Sequence, residues 1–128
     1  MQRDHLNHIS SQIIGGAIEV HKELGPGLLE SVYAECLAKE LRNKGLLVEE
    51  QVGLPLIYKG EVLGKNFFLD FLIEKEIIIE LKAVEEIHPV HEVQLVTYLK
   101  LAGKRLGLLI NFNVPVLQKG IYRKVNNF

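Results

Sequence analysis

Two neighbouring apolar segments each carry an acid where an acid is costly. In Phe67-Phe68-Leu69-Asp70-Phe71-Leu72-Ile73 a single carboxylate interrupts a hydrophobic run, and in Ile77-Ile78-Ile79-Glu80-Leu81-Lys82 an acid and an amine do the same. An ionised carboxylate buried without a partner is strongly unfavourable, so Asp70 needs a cation, a hydrogen-bond network or an exit to solvent. Both segments have the β-branched and aromatic content of strands, and Glu74-Lys75-Glu76 between them reads as a hairpin turn. Strand alternation puts Ile78, Glu80 and Lys82 on one face, with Glu80 and Lys82 roughly 6.5–7 Å apart at about 3.3 Å per residue. If the two strands pair through that turn, Asp70 lies beside Glu80, or diagonal to it, on the same face. Two acids and an amine then converge. Such a cluster is either an oxygen-only site for Mg²⁺, Mn²⁺ or Ca²⁺ or an ion-pair network capping a sheet.

The remaining elements can be read around this pair. Ile9 to Leu24 has helical spacing through Ile14, Ile18 and His21 and is broken by Gly25-Pro26-Gly27; Leu28 to Lys44 forms a second helix ended by Gly45. Leu46 to Val52, Leu54 to Tyr58, Val62 to Ile73 and Ile77 to Lys82 read as an antiparallel meander, with Lys59-Gly60 as a second turn. His91 to Gly103 returns to helical spacing, Leu106 to Phe112 reads as a buried strand, and Gly120 to Val125 as a short last one. The expected order is α-α-β-β-β-β-α-β-β, an α/β (α+β) arrangement in a single domain spanning 1–128. The chain is 128 residues long and 48% hydrophobic, enough to bury a sizeable core, and it contains no repeat or low-complexity tract.

Composition excludes several classes. Cys36 is the only cysteine, which rules out an internal disulfide and a cysteine-rich zinc site. No stretch approaches the roughly 20 uncharged apolar residues of a membrane span, and no signal-peptide core follows Met1, so a cytoplasmic, non-membrane protein is expected. His91-Glu92-Val93-Gln94-Leu95 has leucine where a zinc protease motif needs its second histidine. Charge is uneven: residues 97–128 carry six basic residues and no acid, whereas residues 1–96 carry nine basic and 16 acidic. Lys100, Lys104, Arg105, Lys119, Arg123 and Lys124 are therefore candidate phosphate contacts, or simply a solvated basic edge.

Asp70 followed by Glu80-Leu81-Lys82 resembles the D…(D/E)-x-K signature of the PD-(D/E)xK phosphodiesterase superfamily, with Leu69 where that signature has proline. Gly27-Leu28-Leu29-Glu30-Ser31-Val32-Tyr33 resembles the G-x-x-E-x-x-Y signature of the GxxExxY protein family, a small-domain branch of it. The resemblance runs from about Ile13 onward. It implies a restriction-endonuclease-like αβββαβ core, a mixed central sheet flanked by helices. It also implies a metal-dependent nuclease hydrolysing DNA or RNA, with Mg²⁺ or Mn²⁺ held by Asp70, Glu80 and the Leu81 carbonyl and with Glu30 completing the shell directly or through water. Lys82 would orient the attacking water or stabilise developing charge.

Glu30 otherwise serves as a first-turn acid favoured by the helix dipole. Tyr33, on the same helical face, is expected to position Glu30 or line the cleft, or else to pack on the sheet. Gln94 and Tyr98 resemble the Q-x-x-x-Y element of the exonuclease branch and would shape the cleft, with His91 on the same side. The competing expectation is a catalytically weak or inactive nuclease-fold module acting in nucleic-acid binding or protein interaction. With no appended recognition element, a protein partner, a homodimer or a non-sequence-specific role is expected.

Overall fold

The computed structural model describes residues 2–128. Helix α1 (Arg3–Leu24) begins six residues before the expected Ile9, because Leu6 extends the buried stripe Leu6, Ile9, Ile13, Ala17 and Val20 by one more turn. It stops at Gly25, whose positive φ of 69° turns the chain while its N–H donates to the His21 carbonyl at 2.8 Å. Helix α2 (Glu30–Asn43) follows and ends before Gly45, φ 83°.

The two expected strands around Gly53 are one continuous strand, β1 (Val48–Tyr58). Gly53 stays in register opposite Phe68 of β2 (Glu61–Ile73), so the glycine does not break the ladder. Lys59 and Gly60 both have positive φ and form the two-residue turn that suits the right-handed twist of a hairpin. β3 (Ile77–Lys82) pairs antiparallel with β2. Helix α3 (Pro89–Ala102), with Pro89 in its first turn, then crosses over to β4 (Leu106–Asn111), which lies parallel to β3. A short 3₁₀ turn at Leu117–Gly120 leads into β5 (Ile121–Val125), antiparallel to β4.

The result is a mixed five-stranded sheet in the order β1-β2-β3-β4-β5, and α2-β1-β2-β3-α3-β4 is the αβββαβ core expected from the resemblance. On one face, α1 and α2 bury Phe71, Ile73, Ile77, Ile79, Leu81, Leu106, Leu108 and Ile110. On the other, Leu95, Tyr98 and Leu99 of α3 pack over Leu69, Leu72, Ile78 and Leu109. β3 and β4 are covered on both faces, which explains their nearly unbroken apolar runs. No helix among the described residues is long and apolar enough to cross a membrane.

Candidate active site

The seam between β2 and β3 is short. Its register runs Ile73↔Ile77, Leu72↔Ile78 and Phe71↔Ile79. At the next position side chains replace the backbone ladder: the Asp70 N–H donates to Glu80 Oε2 at 2.8 Å, and the Leu81 N–H donates to Asp70 Oδ2 at 2.8 Å. Each acid thus satisfies a buried amide that would otherwise lose its partner where the strands part.

The parting coincides with an irregularity in the neighbouring β1–β2 ladder. Gln51 sits opposite Asp70 with φ 51°, a left-handed conformation inside a strand. Across this level both strands exchange faces. Val48, Phe71 and Ile73 pack toward α1 and α2, whereas Val52, Leu54, Phe67 and Leu69 pack toward α3. This corrects the expectation that Asp70 and Glu80 share a face by simple alternation. Asp70 opens on the α2 side, Glu80 stands on the α3 side with Ile78, and the two carboxylates meet in the seam. The Leu81 carbonyl follows from the same geometry. Lys82 C=O accepts from Phe112 N–H on the β4 side at 3.0 Å, so alternation directs Leu81 C=O to the β2 side, beside its own N–H and Asp70.

The electrostatics are those of crowded negative charge. The Glu80 carboxyl, 7% exposed, is pushed up to about 8, first by burial and then by the charge of Asp70, while the Asp70 N–H and Lys82 oppose the shift. Glu30, in the first turn of α2, is raised by partial burial and by Asp70, again against Lys82. The Tyr98 phenol is raised by burial and by the charges of Glu80 and Asp70. These shifts bring Glu30, Asp70, Glu80, Lys82 and Tyr98 into one field, in which the Lys82 ammonium acts on Glu30 and Glu80.

Asp70 and Leu81 form part of the wall of an open cleft of about 500 Å³, bounded on one side by Glu30, Ser31, Glu35 and Arg42 of α2 and on the other by Glu50 and Gln51 of β1. Gln51 Nε2 lies 3.5 Å from Asp70 Oδ1. Arg42 is held by Glu50 at 3.2 Å and donates to the Val48 carbonyl at 3.0 Å. The β1 residues were missed by sequence reasoning. Their signal was Glu49-Glu50-Gln51, three polar residues in succession that break strand alternation.

Other expected site residues lie elsewhere. Tyr33 does not line the cleft: it is fully buried, its ring stacks on Phe112 at 4.6 Å, and its hydroxyl donates to Gly25 O at 2.6 Å and accepts from Leu28 N–H at 3.1 Å. It fastens the Gly25–Leu28 turn to α2. Gln94 is exposed on α3, whereas Tyr98 is buried with its ring 5.8 Å from that of Phe67. His91 caps α3, its Nδ1 accepting from the His88 N–H at 3.0 Å. Half of the basic set is already engaged: Lys124 pairs with Glu92 at 2.6 Å, and Arg105 and Arg123 lie over the Phe128 ring.

As a donor set for a metal, the seam offers oxygen alone: the Asp70 and Glu80 carboxylates and the Leu81 carbonyl, with Glu30 across the cleft. No group of three or more His, Cys, Asp or Glu residues is poised to hold a metal ion among the described residues. Two carboxylates and a carbonyl nevertheless fit a hard divalent cation such as Mg²⁺, which retains several waters and takes few protein ligands. A family model for the PD-(D/E)XK nuclease superfamily matches residues 7–124. The chain belongs to the PD-(D/E)XK nuclease superfamily. No curated protein and no solved structure matches it. Nucleases of the PD-(D/E)XK superfamily typically use divalent metals, in keeping with the oxygen donors at the β2–β3 seam.

Proposed function

We propose that this PD-(D/E)XK protein is a phosphodiesterase that hydrolyses DNA or RNA with Mg²⁺ or Mn²⁺, its 128 residues acting as one nuclease domain of the GxxExxY branch. The observation that carries the reading is the meeting of Asp70 and Glu80 in an opened strand seam with too little positive charge beside them. A fold built only for stability gains little from two such acids, since an apolar pair of similar shape is often as stable or more so.

In this reading Asp70, Glu80 and the Leu81 carbonyl would hold the cation, with Glu30 completing its shell directly or through water. The bound cation supplies Lewis acidity, drawing charge from a phosphoryl oxygen and making water acidic enough to attack near neutral pH. Asp70 and Glu80 keep their shape before loading because each is fastened to a backbone N–H. Lys82 faces the cluster from the end of β3 and aligns the attacking water or steadies the charge that develops on phosphate. Tyr98 closes the α3 side of the seam beside Glu80 and limits its access to water.

The test is Mn²⁺ calorimetry on the wild type and on Glu80→Gln. Saturable binding that Glu80→Gln removes supports the site, and hydrolysis of DNA and RNA substrates then identifies the polymer. A second reading draws on the two backbone bonds made by the acids, which also suit a purely structural seam. Absence of Mn²⁺ binding at millimolar metal, with an oligonucleotide present to complete the shell, favours that non-catalytic nuclease-fold module.

A further inference from the structure

The part of the β1–β2 hairpin beyond Gln51 and Asp70 is a two-stranded ribbon, because β2 pairs with β3 only through Phe71, Leu72 and Ile73. One side of the ribbon is occupied: Val52, Leu54 and Phe67 pack on the α3 cluster. The opposite side, which adjoins the β1 wall of the cleft, is open, with Phe68 54% exposed and, past the register shift toward the hairpin end, Ile57 53% and Val62 66% exposed. Phe68 is two residues from Asp70 on the same strand side, roughly 6.5–7 Å along the chain. Its ring edge is 3.6 Å from the position a Cβ would take on Gly53, directly across the ladder. The ring thus covers Gly53 at ordinary contact distance and leaves its other surface to solvent.

The charge around this platform is unsuited to gripping a duplex by its backbones. Arg42, the one cation among the described residues lining the cleft, is already paired with Glu50, and Lys82 faces Glu30 and Glu80. Of the six basic residues of the last quarter of the chain, Lys100 is on α3, Lys104 and Arg105 are in the turn before β4, Lys119 is in the 3₁₀ turn, and Arg123 and Lys124 are on β5, the edge strand opposite β1. Duplex affinity comes mainly from Lys and Arg neutralising phosphates, whereas an unpaired base offers a π-face that stacks on an aromatic ring whatever its sequence.

We infer that Phe68 is a stacking platform for an unpaired base next to the scissile phosphate, and that the substrate is single-stranded nucleic acid. The inference rests on the phosphodiesterase reading for the word substrate, but binding at Phe68 is measurable without turnover.

The chain has no tryptophan, so Phe68→Trp places one fluorophore at the platform. It is titrated with a ten-nucleotide oligothymidine and with a blunt duplex of equal length, first without divalent ions and then with Ca²⁺. The expected result is saturable quenching by the single strand and none by the duplex. Phe68→Leu, which keeps an apolar cover on Gly53, should weaken single-strand binding about tenfold. Its melting temperature should match that of the wild type. Between 50 and 200 mM salt, single-strand affinity should fall by less than about tenfold, well short of the loss seen when many phosphates are contacted.

Equal affinity for the duplex, quenching by neither ligand in either condition, or unchanged single-strand binding by Phe68→Leu overturns the inference. So does concentration-dependent quenching without nucleic acid, which would identify the ribbon as a contact between copies of the chain. Hydrolysis is scored separately. Single-strand binding at Phe68 with no cleavage in Mg²⁺ or Mn²⁺ leaves the platform standing and removes the phosphodiesterase reading, while cleavage that ignores Phe68 does the reverse.

Discussion

The two edges of β3 solve the same problem with different chemistry. Toward β4, the strand end is closed by Asn111, 2% exposed and in register with Lys82. Its Oδ1 accepts from the N–H groups of Val84 at 3.1 Å and Asn113 at 3.2 Å, and its Nδ2 donates to Val84 O at 2.9 Å. Toward β2, the amides of Asp70 and Leu81 are satisfied by Glu80 and Asp70 instead. A neutral amide matches donors to acceptors and leaves nothing over. Two carboxylates are acceptors only, so satisfying the same kind of backbone group leaves charge crowded at the seam. One edge is finished by its hydrogen bonds, and the other is finished only by a cation or a proton.

The largest expected effect breaks that comparison on its charged side. Glu80→Gln retains an oxygen for the Asp70 N–H but lacks the charge, so it should fold and yet lose Mn²⁺ binding and at least about 10³-fold in hydrolysis. Calorimetry and single-turnover cleavage read both, and a fully active Glu80→Gln variant would remove Glu80 from the site. Asp70→Asn should behave alike, since its amide oxygen can still accept from Leu81.

Next comes the pH dependence of the metal-free protein. Glu80 has an ordinary value near 4.5 and a folded value of about 8. Between those limits the unfolded chain releases a proton that the folded chain keeps, so stability falls as pH rises from about 5 to about 8. The loss should be on the order of a few kcal/mol, flat below and above that window. Thermal melts should show this decline in wild type and a much flatter profile in Glu80→Gln, which becomes the more stable of the two at pH 8. Mn²⁺ should raise the wild-type melting temperature more at pH 8 than at pH 5.5, because its ligand must be ionised. A pH-independent wild type would contradict the crowding of charge at the seam.

On the neutral side, Asn111→Ala strands the N–H and C=O of Val84 and the N–H of Asn113, and should cost about 2–3 kcal/mol. Denaturant melts measure the loss. Below the melting transition Mn²⁺ affinity should persist, because the donors lie on the other edge; loss of metal binding with the fold intact would show that the two edges are one unit.

How much of this was readable beforehand follows from the range of the forces involved. The acids at 70 and 80 stood out because each violates a hydrophobic run, a local signal that survives whatever the tertiary context. The hairpin at Glu74-Lys75-Glu76 then fixed their spacing, and the order of elements followed from periodicity except that the two strands expected around Gly53 are one. Their approach from opposite faces was not readable, since it accompanies a left-handed Gln51 across the ladder, a glutamine in a conformation more often adopted by glycine or asparagine. Arg42 escaped notice for a similar reason: it reaches the cleft through Glu50 and Val48, contacts between α2 and β1 that no spacing encodes. The α1 start was misplaced because Leu6 alone carries the first turn's burial, and one apolar residue among polar neighbours is a weak periodic signal.

Tyr33 gives the smallest effect and the cleanest separation of motif from machinery. It is a member of the Gly27–Tyr33 signature and three residues from Glu30, which made it a candidate for the cleft, yet its hydroxyl joins Gly25 O to Leu28 N–H and its ring lies against Phe112. Tyr33→Phe keeps the stack and removes both hydrogen bonds, so it should cost about 1–2 kcal/mol, the range for groups left unsatisfied in a partly buried turn. Cleavage per folded molecule, measured well below the melting transition, should stay within about twofold of wild type, since nothing at the seam has changed. If Tyr33→Phe instead lowers kcat strongly at unaltered stability, the turn before α2 governs the position of Glu30 during the reaction, and the signature tyrosine acts on chemistry through that acid.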